Sequence, residues 1–524
     1  MHSRLVLTSF LLLGVLLLAA GEGRGESASS AFEAAVRARV EVEPEETAEA
    51  LLRFYEARDF QPAWFSQGQV RAAAHQFLVA LCEVEEEGLR PERYHRSELA
   101  ASLSRPGAEA WPEDAWVPVE LRLTSSFLSF ASHLLSGQVS PKRFRWRTQP
   151  PERDLAAVLE EALASGDVAE SLRGLSPPHE GFRQLKEVLA RYRAIAAAGG
   201  WPLVPPGELL ERGGRGPRVA VLRERLRISG DLPPAPEERR LYVGTTGLEL
   251  ALVQEGLLHR AVEEAPLPPL PPAEDVFDEA LEEAVKRFQR RHGLTVDGLV
   301  GPRTLAALRV PVEERIQQVL VNLERWRWVP RELGGRHVVV NLPAFELEAV
   351  DGSHPALRMR VIVGTQRLGT PIFQDEVEYL VLHPVWYLPE GISRWEVLPQ
   401  LQEDPGAAER LGLTVRSRSS GEVVDPWEVD WSSLDGEALP YRFEQAPGPA
   451  NPLGRVKFIF PNHFAVYLHD TPHPELFEEE HRAFSHGCIR VEEPVKLAAF
   501  MLRGHDGWTE EALAAAMKAG GEPR

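Results

Sequence analysis

The spacing of apolar residues changes partway along this chain, and that change excludes a single uniform fold. From about residue 45 to 198 apolar positions recur at helical spacing, as in Phe77, Leu78, Leu81 and Val84, or Leu185, Val188, Leu189 and Tyr192. Turn signals such as Leu89-Arg90-Pro91 interrupt them. From residue 336 onward the pattern becomes short runs rich in Val, Ile, Leu and aromatics, at 337–342, 346–350, 358–363, 379–382, 455–460 and 464–468. The patterning predicts a multi-domain α+β chain, with a helical domain over residues 45–200 and a mainly antiparallel β domain over 335–510. Residues 389–446, with Trp395, Trp427 and Trp431, break the strand rhythm and read as a helical or irregular insertion of the kind that often forms a lid.

A third unit is expected between them, over 215–310. Its helical parts at 218–228 and 278–292 are separated by an insertion containing Leu267-Pro268-Pro269-Leu270-Pro271-Pro272, a stiff connector. Leu281, Val285 and Phe288 share one helix face, Asp297-Gly298 turns the chain, and Pro302 opens a short helix ending near Leu308. This spacing predicts a compact three-helix bundle, in which Phe288, Gly298 and Gly301 serve the packing. In the first domain Trp64, Trp111, Trp116 and Trp146 are expected as packing residues, and Cys82, between Leu81 and Val84, as a small buried hydrophobe.

Residues 5–20 are almost continuously apolar and Ala19-Ala20-Gly21 offers small residues for cleavage, so residues 1–21 read as an export signal. As a helix that run spans about 24 Å, short of a roughly 30 Å hydrocarbon core, which favours cleavage over an N-terminal membrane anchor. No cysteine lies near it, which excludes a lipoprotein anchor. The balance of 58 basic against 78 acidic side chains, a net charge of −20, argues against nucleic acid as a partner. The 2 cysteines are too few for a disulfide scaffold or a thiolate zinc cluster.

One of those cysteines sits in the densest chemistry of the chain. Ser485-His486-Gly487-Cys488-Ile489-Arg490-Val491 follows a predicted strand that ends Tyr467-Leu468-His469-Asp470. An imidazole that takes up the thiol proton raises the nucleophilic fraction, making Cys488 a candidate nucleophile and His469 its base. A carbonyl or carboxylate near Asp470 can fix the imidazole tautomer. The amides of Gly487 and Cys488, with the Tyr467 hydroxyl, are candidate oxyanion donors. By residue type alone a structural cysteine remains open, as does a metal site drawing on His469, His473, His481, His486 and Cys488, although their spacing matches no compact zinc pattern.

The segments His469-Asp470-Thr471-Pro472 and Ser485-His486-Gly487-Cys488-Ile489-Arg490-Val491 resemble the signature of the L,D-transpeptidase, or YkuD, catalytic domain. Val363-Gly364-Thr365, Thr370-Pro371, His383-Pro384-Val385-Trp386, Asp425-Pro426-Trp427 and Leu453-Gly454 extend the likeness. Residues 284–294 with 297–308 resemble the small peptidoglycan-binding domain. Together with the helical N-terminal scaffold domain, the chain looks like the large periplasmic type. The resemblance implies Cys488 as acyl-accepting nucleophile, His469 as base, Asp470 as orienter through its backbone carbonyl, and Tyr467 with the Gly487 and Cys488 amides at the oxyanion. Ser485, His486 and Arg490 would line the substrate site. Arg490 stands where many relatives have asparagine, and both a substrate-carboxylate role and a structural salt bridge stay open for it.

The resemblance further implies peptidoglycan stem peptides and glycan as partners, no cofactor, and exchange of one amide for another through a thioester, which needs no ATP outside the membrane. The donor would be a tetrapeptide stem that loses D-alanine, the product a 3-3 crosslink, and carbapenems would acylate Cys488. Lipoprotein attachment, D-amino-acid exchange, hydrolysis by an L,D-carboxypeptidase and a silent wall-binding protein are the competing readings.

Overall fold

The computed structural model describes residues 26–104, 110–144, 146, 148, 150–233, 274–352, 354–434 and 439–524. The leader expected at 1–21 and the proline-rich run at 267–272 lie outside the described residues. Contacts divide the chain into two compact units. One comprises Met1–Val139, Gln149–Ala190 and Val319–Arg331; the other Ser140–Thr148, Arg191–Gln318 and Glu332–Arg524. No described helix is long and apolar enough to cross a membrane.

The first unit is helical. Its longest helix, Glu113–Ser136, buries Leu123, Phe127, Leu128, Ala131 and Leu134, the spacing of one helix face. Trp64 is fully buried with its ring 5.6 Å from Phe77 and 6.1 Å from Phe127, and Trp111 and Trp116 pack at the same core. The buried Glu120 carboxylate accepts the backbone N–H groups of Ala63, Trp64 and Phe65 and the Tyr55 hydroxyl. Cys82 departs from expectation, because its side chain is exposed. Helix Ala72–Ala80 ends two residues earlier, so helical spacing no longer sets its direction, and Leu81 and Val84 turn inward while the thiol donates to the Leu78 carbonyl at 3.6 Å.

In the second unit Pro217–Ile228, Glu279–Arg291 and Pro302–Leu308 form the three-helix bundle. The Asp278 side chain caps the second helix by accepting the Leu281 N–H, and Leu281, Val285 and Phe288 fill the core with Val219, Leu222 and Leu226. Buried Gln289 ties the turn to the helix, donating to Asp297, Leu299 and Thr304 and accepting the Gly298 N–H.

The remainder is built on an eight-stranded, mostly antiparallel sheet. Its order runs Arg336–Asn341, Glu346–Asp351, His354–Gly364, Ile489–Val491, Leu468–His469, Val456–Ile459, Tyr379–Leu382, with Ala483–Ser485 pairing onto His354–Gly364. Helices Pro494–Met501 and Glu510–Ala519 supply Leu497, Ala498, Leu513 and Met517 to the same core. The strand expected at 464–468 shrinks to Leu468–His469. Asn462 is the cause: its Oδ1 accepts the Phe464 and Val466 N–H groups and its Nδ2 donates to the Phe460 and Val466 carbonyls, making a local turn in place of a ladder.

The insertion is more ordered than its sequence pattern implies. Helical turns over 390–403 and 407–410 pack on a separate three-stranded sheet of Trp386–Tyr387, Tyr441–Gln445 and Leu413–Ser417. Val397, Leu401, Ala407, Val415, Trp431 and Phe443 give it a core of its own.

Candidate active site

Strand register brings the candidate residues together. Leu468–His469 pairs in parallel with Ile489–Val491, so His469 stands opposite Arg490; on its other side it pairs antiparallel with Val456–Ile459, so His469 stands opposite Lys457. Directly paired residues share a sheet face, and residues two apart on a strand return to it. Lys457, His469 and Arg490 therefore form one row across three strands, and Tyr467 and Cys488, each two residues earlier, form the next row on the same face. The Tyr467 and His469 rings lie 5.6 Å apart, and both the backbone N–H and the hydroxyl of Tyr467 reach the Cys488 sulfur.

His469 is buried, and its Nδ1 meets the carbonyl oxygen of Asp470 at 2.6 Å, which leaves Nε2 as the free ring nitrogen. Burial, then the Arg490 charge, pushes the imidazole down to about 3; the Asp470 carbonyl opposes this and Lys457 adds to it. The resting imidazole is neutral. The Asp470 carboxylate faces elsewhere, accepting the N–H groups of Arg455 at 2.8 Å and Thr471 at 2.7 Å. Gly454 lets that carboxylate approach, since a Cβ there would lie 2.5 Å from Asp470 Cγ.

The Cys488 thiol donates to the Ala465 carbonyl at 3.9 Å. Burial raises its pKa, against the Tyr467 hydrogen bonds and the charges of Lys457 and Arg490, which favour the thiolate. Gly487 has φ +123°, a backbone conformation suited to glycine. Its amide is not turned outward: it donates to Ser485 Oγ at 3.1 Å, while that hydroxyl donates to the Cys488 carbonyl at 2.5 Å. In this serine turn the Gly487 amide, expected at the oxyanion, is engaged by Ser485, and the Tyr467 hydroxyl lies beside the sulfur. Thr370 Oγ1 donates to the Gly487 carbonyl at 2.8 Å and accepts the Gly364 N–H, fixing the loop from the other side.

The other histidines disperse. His486 pairs through Nε2 with Glu396 of the insertion, His473 Nδ1 meets Glu475 at 3.1 Å, and the His481 ring packs edge-on against Phe345. Among the described residues no group of three or more His, Cys, Asp or Glu side chains could hold a metal ion. Arg490 is half-buried, its Nε enclosed and unpartnered, and its interaction with Cys488 is the one that offsets its burial.

Lys457, Glu396 and Thr370 were not among the residues that sequence reasoning put in the site. The alternation of Val456, Lys457, Phe458 and Ile459 makes Lys457 face away from Val456 and Phe458, but only the register shows that it faces His469. Glu396 is 90 residues from its partner and carries no sequence signal.

Residues 335–507 match the family model of the L,D-transpeptidase catalytic domain, residues 49–189 that of a scaffold domain, and residues 247–308 that described as "Putative peptidoglycan binding domain". The β-rich region is thus an L,D-transpeptidase catalytic domain. A curated protein of Haemophilus influenzae named "Putative L,D-transpeptidase" is 37% identical over 194 residues, 37% of this chain and 38% of that protein. The match thus spans well under half the length of that relative. A crystal structure of the L,D-transpeptidase from Xylanimonas cellulosilytica aligns with 58% of this chain and 95% of its own at 17% identity, with a TM-score of 0.15.

Proposed function

We propose that this chain is an exported, periplasmic L,D-transpeptidase that forms 3-3 crosslinks in peptidoglycan through a Cys488 thioester. The observation that carries the reading is the shared sheet face of Tyr467, His469 and Cys488, with His469 neutral and its tautomer held by the Asp470 carbonyl. Cys488 Sγ attacks the carbonyl of the third, L-configured stem residue; the C–N bond to terminal D-alanine breaks, and the thiol proton passes by way of His469 to the departing amine. An amine of a neighbouring stem then attacks the thioester, forming C–N and breaking C–S, and its proton returns to the sulfur. The Tyr467 hydroxyl stabilises the oxyanion in both steps. The half-buried Arg490 guanidinium, without a carboxylate partner among the described residues, takes a carboxylate of the stem. His486 and Ser485 shape the site, and the 389–446 insertion covers it as a lid.

Intact-protein mass spectrometry of the chain and of Cys488→Ala, after incubation with a disaccharide tetrapeptide, tests the reading. A wild-type adduct lacking D-alanine, followed by a crosslinked dimer and absent from the variant, is expected. Tripeptide without dimer would move the assignment to an L,D-carboxypeptidase, and retained wall binding without an adduct to a non-catalytic wall protein.

A further inference from the structure

Lys457 is a half-buried cation that the reaction outlined above does not use. Its Nζ lies 3.6 Å from the centroid of the Tyr467 ring, and its strand position is directly opposite His469. No described carboxylate pairs with it; Cys488 is the group whose charge offsets its burial. Burying an ammonium without a counter-charge is costly, so such a group is retained where a negative charge forms nearby. The imidazole opposite cannot supply that charge, and Tyr467, whose ring carries the ammonium, is pushed well above the usual phenol range by burial. The sulfur is the remaining acceptor.

We infer that Lys457 is a positioning residue for the acyl transfer: seated on the Tyr467 ring, its ammonium is the standing counter-charge for the Cys488 thiolate, whose proton leaves to solvent in the free protein and by way of His469 to the departing amine in the reaction. This rests on the reading of Cys488 as the nucleophile. It differs from a Cys–His ion pair in which imidazolium stabilises the thiolate, because His469 stands between two cations, Lys457 on one neighbouring strand and Arg490 on the other. The charged and titratable groups facing Cys488 are Lys457, Tyr467, His469 and Arg490; His486, next but one in sequence, is paired with Glu396. Cation and thiolate interacting in partly buried surroundings shift the thiol pKa by about one unit or more.

The test is the pH dependence of Cys488 alkylation by iodoacetamide in the full chain, resolved by peptide mass so that exposed Cys82 is read separately. Lys457→Met should raise the alkylation midpoint by about one unit and slow the reaction about tenfold near neutral pH. Lys457→Arg, which keeps a cation over the ring, should stay within about threefold of wild type. His469→Gln should leave the midpoint nearly unmoved. Superimposable profiles for wild type and Lys457→Met would overturn the inference; should Lys457→Met not fold, an upward shift of about one unit or more in His469→Gln relative to wild type would overturn it by itself. Failure of the parent reading shows separately, as absence of any tetrapeptide-derived adduct on an alkylatable Cys488.

Discussion

Lys457 stands directly across two antiparallel strands from His469, with its ammonium 3.6 Å from the centre of the Tyr467 ring. Arg490 flanks the same histidine from the parallel strand on its other side. A buried histidine held between two cations is neutral at rest, so the standing charge of the site lies with the arginine and the lysine.

The His469 imidazole should not titrate above about pH 5 by NMR, because burial and the Arg490 charge push it down to about 3. The unfolded chain protonates this residue near 6.5, so the unfolded state binds more protons between those values and stability falls as pH drops through that window. His133 and His292, both pushed down to about 4 by burial, act with the same sign, so the His469 share is read as the flattening of the acid limb in His469→Gln. An unchanged acid limb in that variant would refute the assignment.

Gly454→Ala should cripple the reaction from outside the sulfur's surroundings. The new methyl group would meet Asp470 at 2.5 Å and shift the residue whose carbonyl orients His469. Acylation should slow on the order of 10- to 100-fold, the scale set by small misplacements of a reacting group. Rapid-quench mass analysis would measure it, and a wild-type rate in a folded variant would show that Asp470 does not orient the base.

Breaking the His486–Glu396 pair should loosen the insertion. Both side chains are partly exposed, so the pair contributes at most about 1 kcal/mol, which corresponds to an opening equilibrium shifted no more than about fivefold. Hydrogen exchange over 390–403 in Glu396→Ala should rise by that factor. If exchange there matches wild type, and is also unchanged when Cys488 is acylated, the lid role is lost.

Glu120→Ala should be among the most damaging substitutions in the first unit. It strands three buried amides at once, leaves the Tyr55 hydroxyl with Thr124 alone, and should cost about 3 kcal/mol or more by denaturant unfolding. A loss under about 1 kcal/mol would mean that water replaces the carboxylate.

Much of the site could be read from residue types and spacing. A thiol beside glycine, 19 residues after a strand-end histidine, already pointed to a nucleophile and its base, and the helix faces at Leu281, Val285 and Phe288 packed as their period requires. The errors came where a side chain competes with the backbone or a helix stops early. Asn462 captured the amides of a β-rich segment, and Cys82 followed a helix end instead of extending its apolar face.

By itself the sequence determined local periodicity and caps and singled out the candidate reactive groups, because these depend on residues a few positions apart. Tertiary structure alone decided that Lys457 and Arg490 flank His469, that Ser485 takes the Gly487 amide, and that Glu396 reaches His486. Cross-strand register and the fold of an insertion join residues far apart in the chain, and the energy between the charges they bring together is set by distance in space, not in sequence.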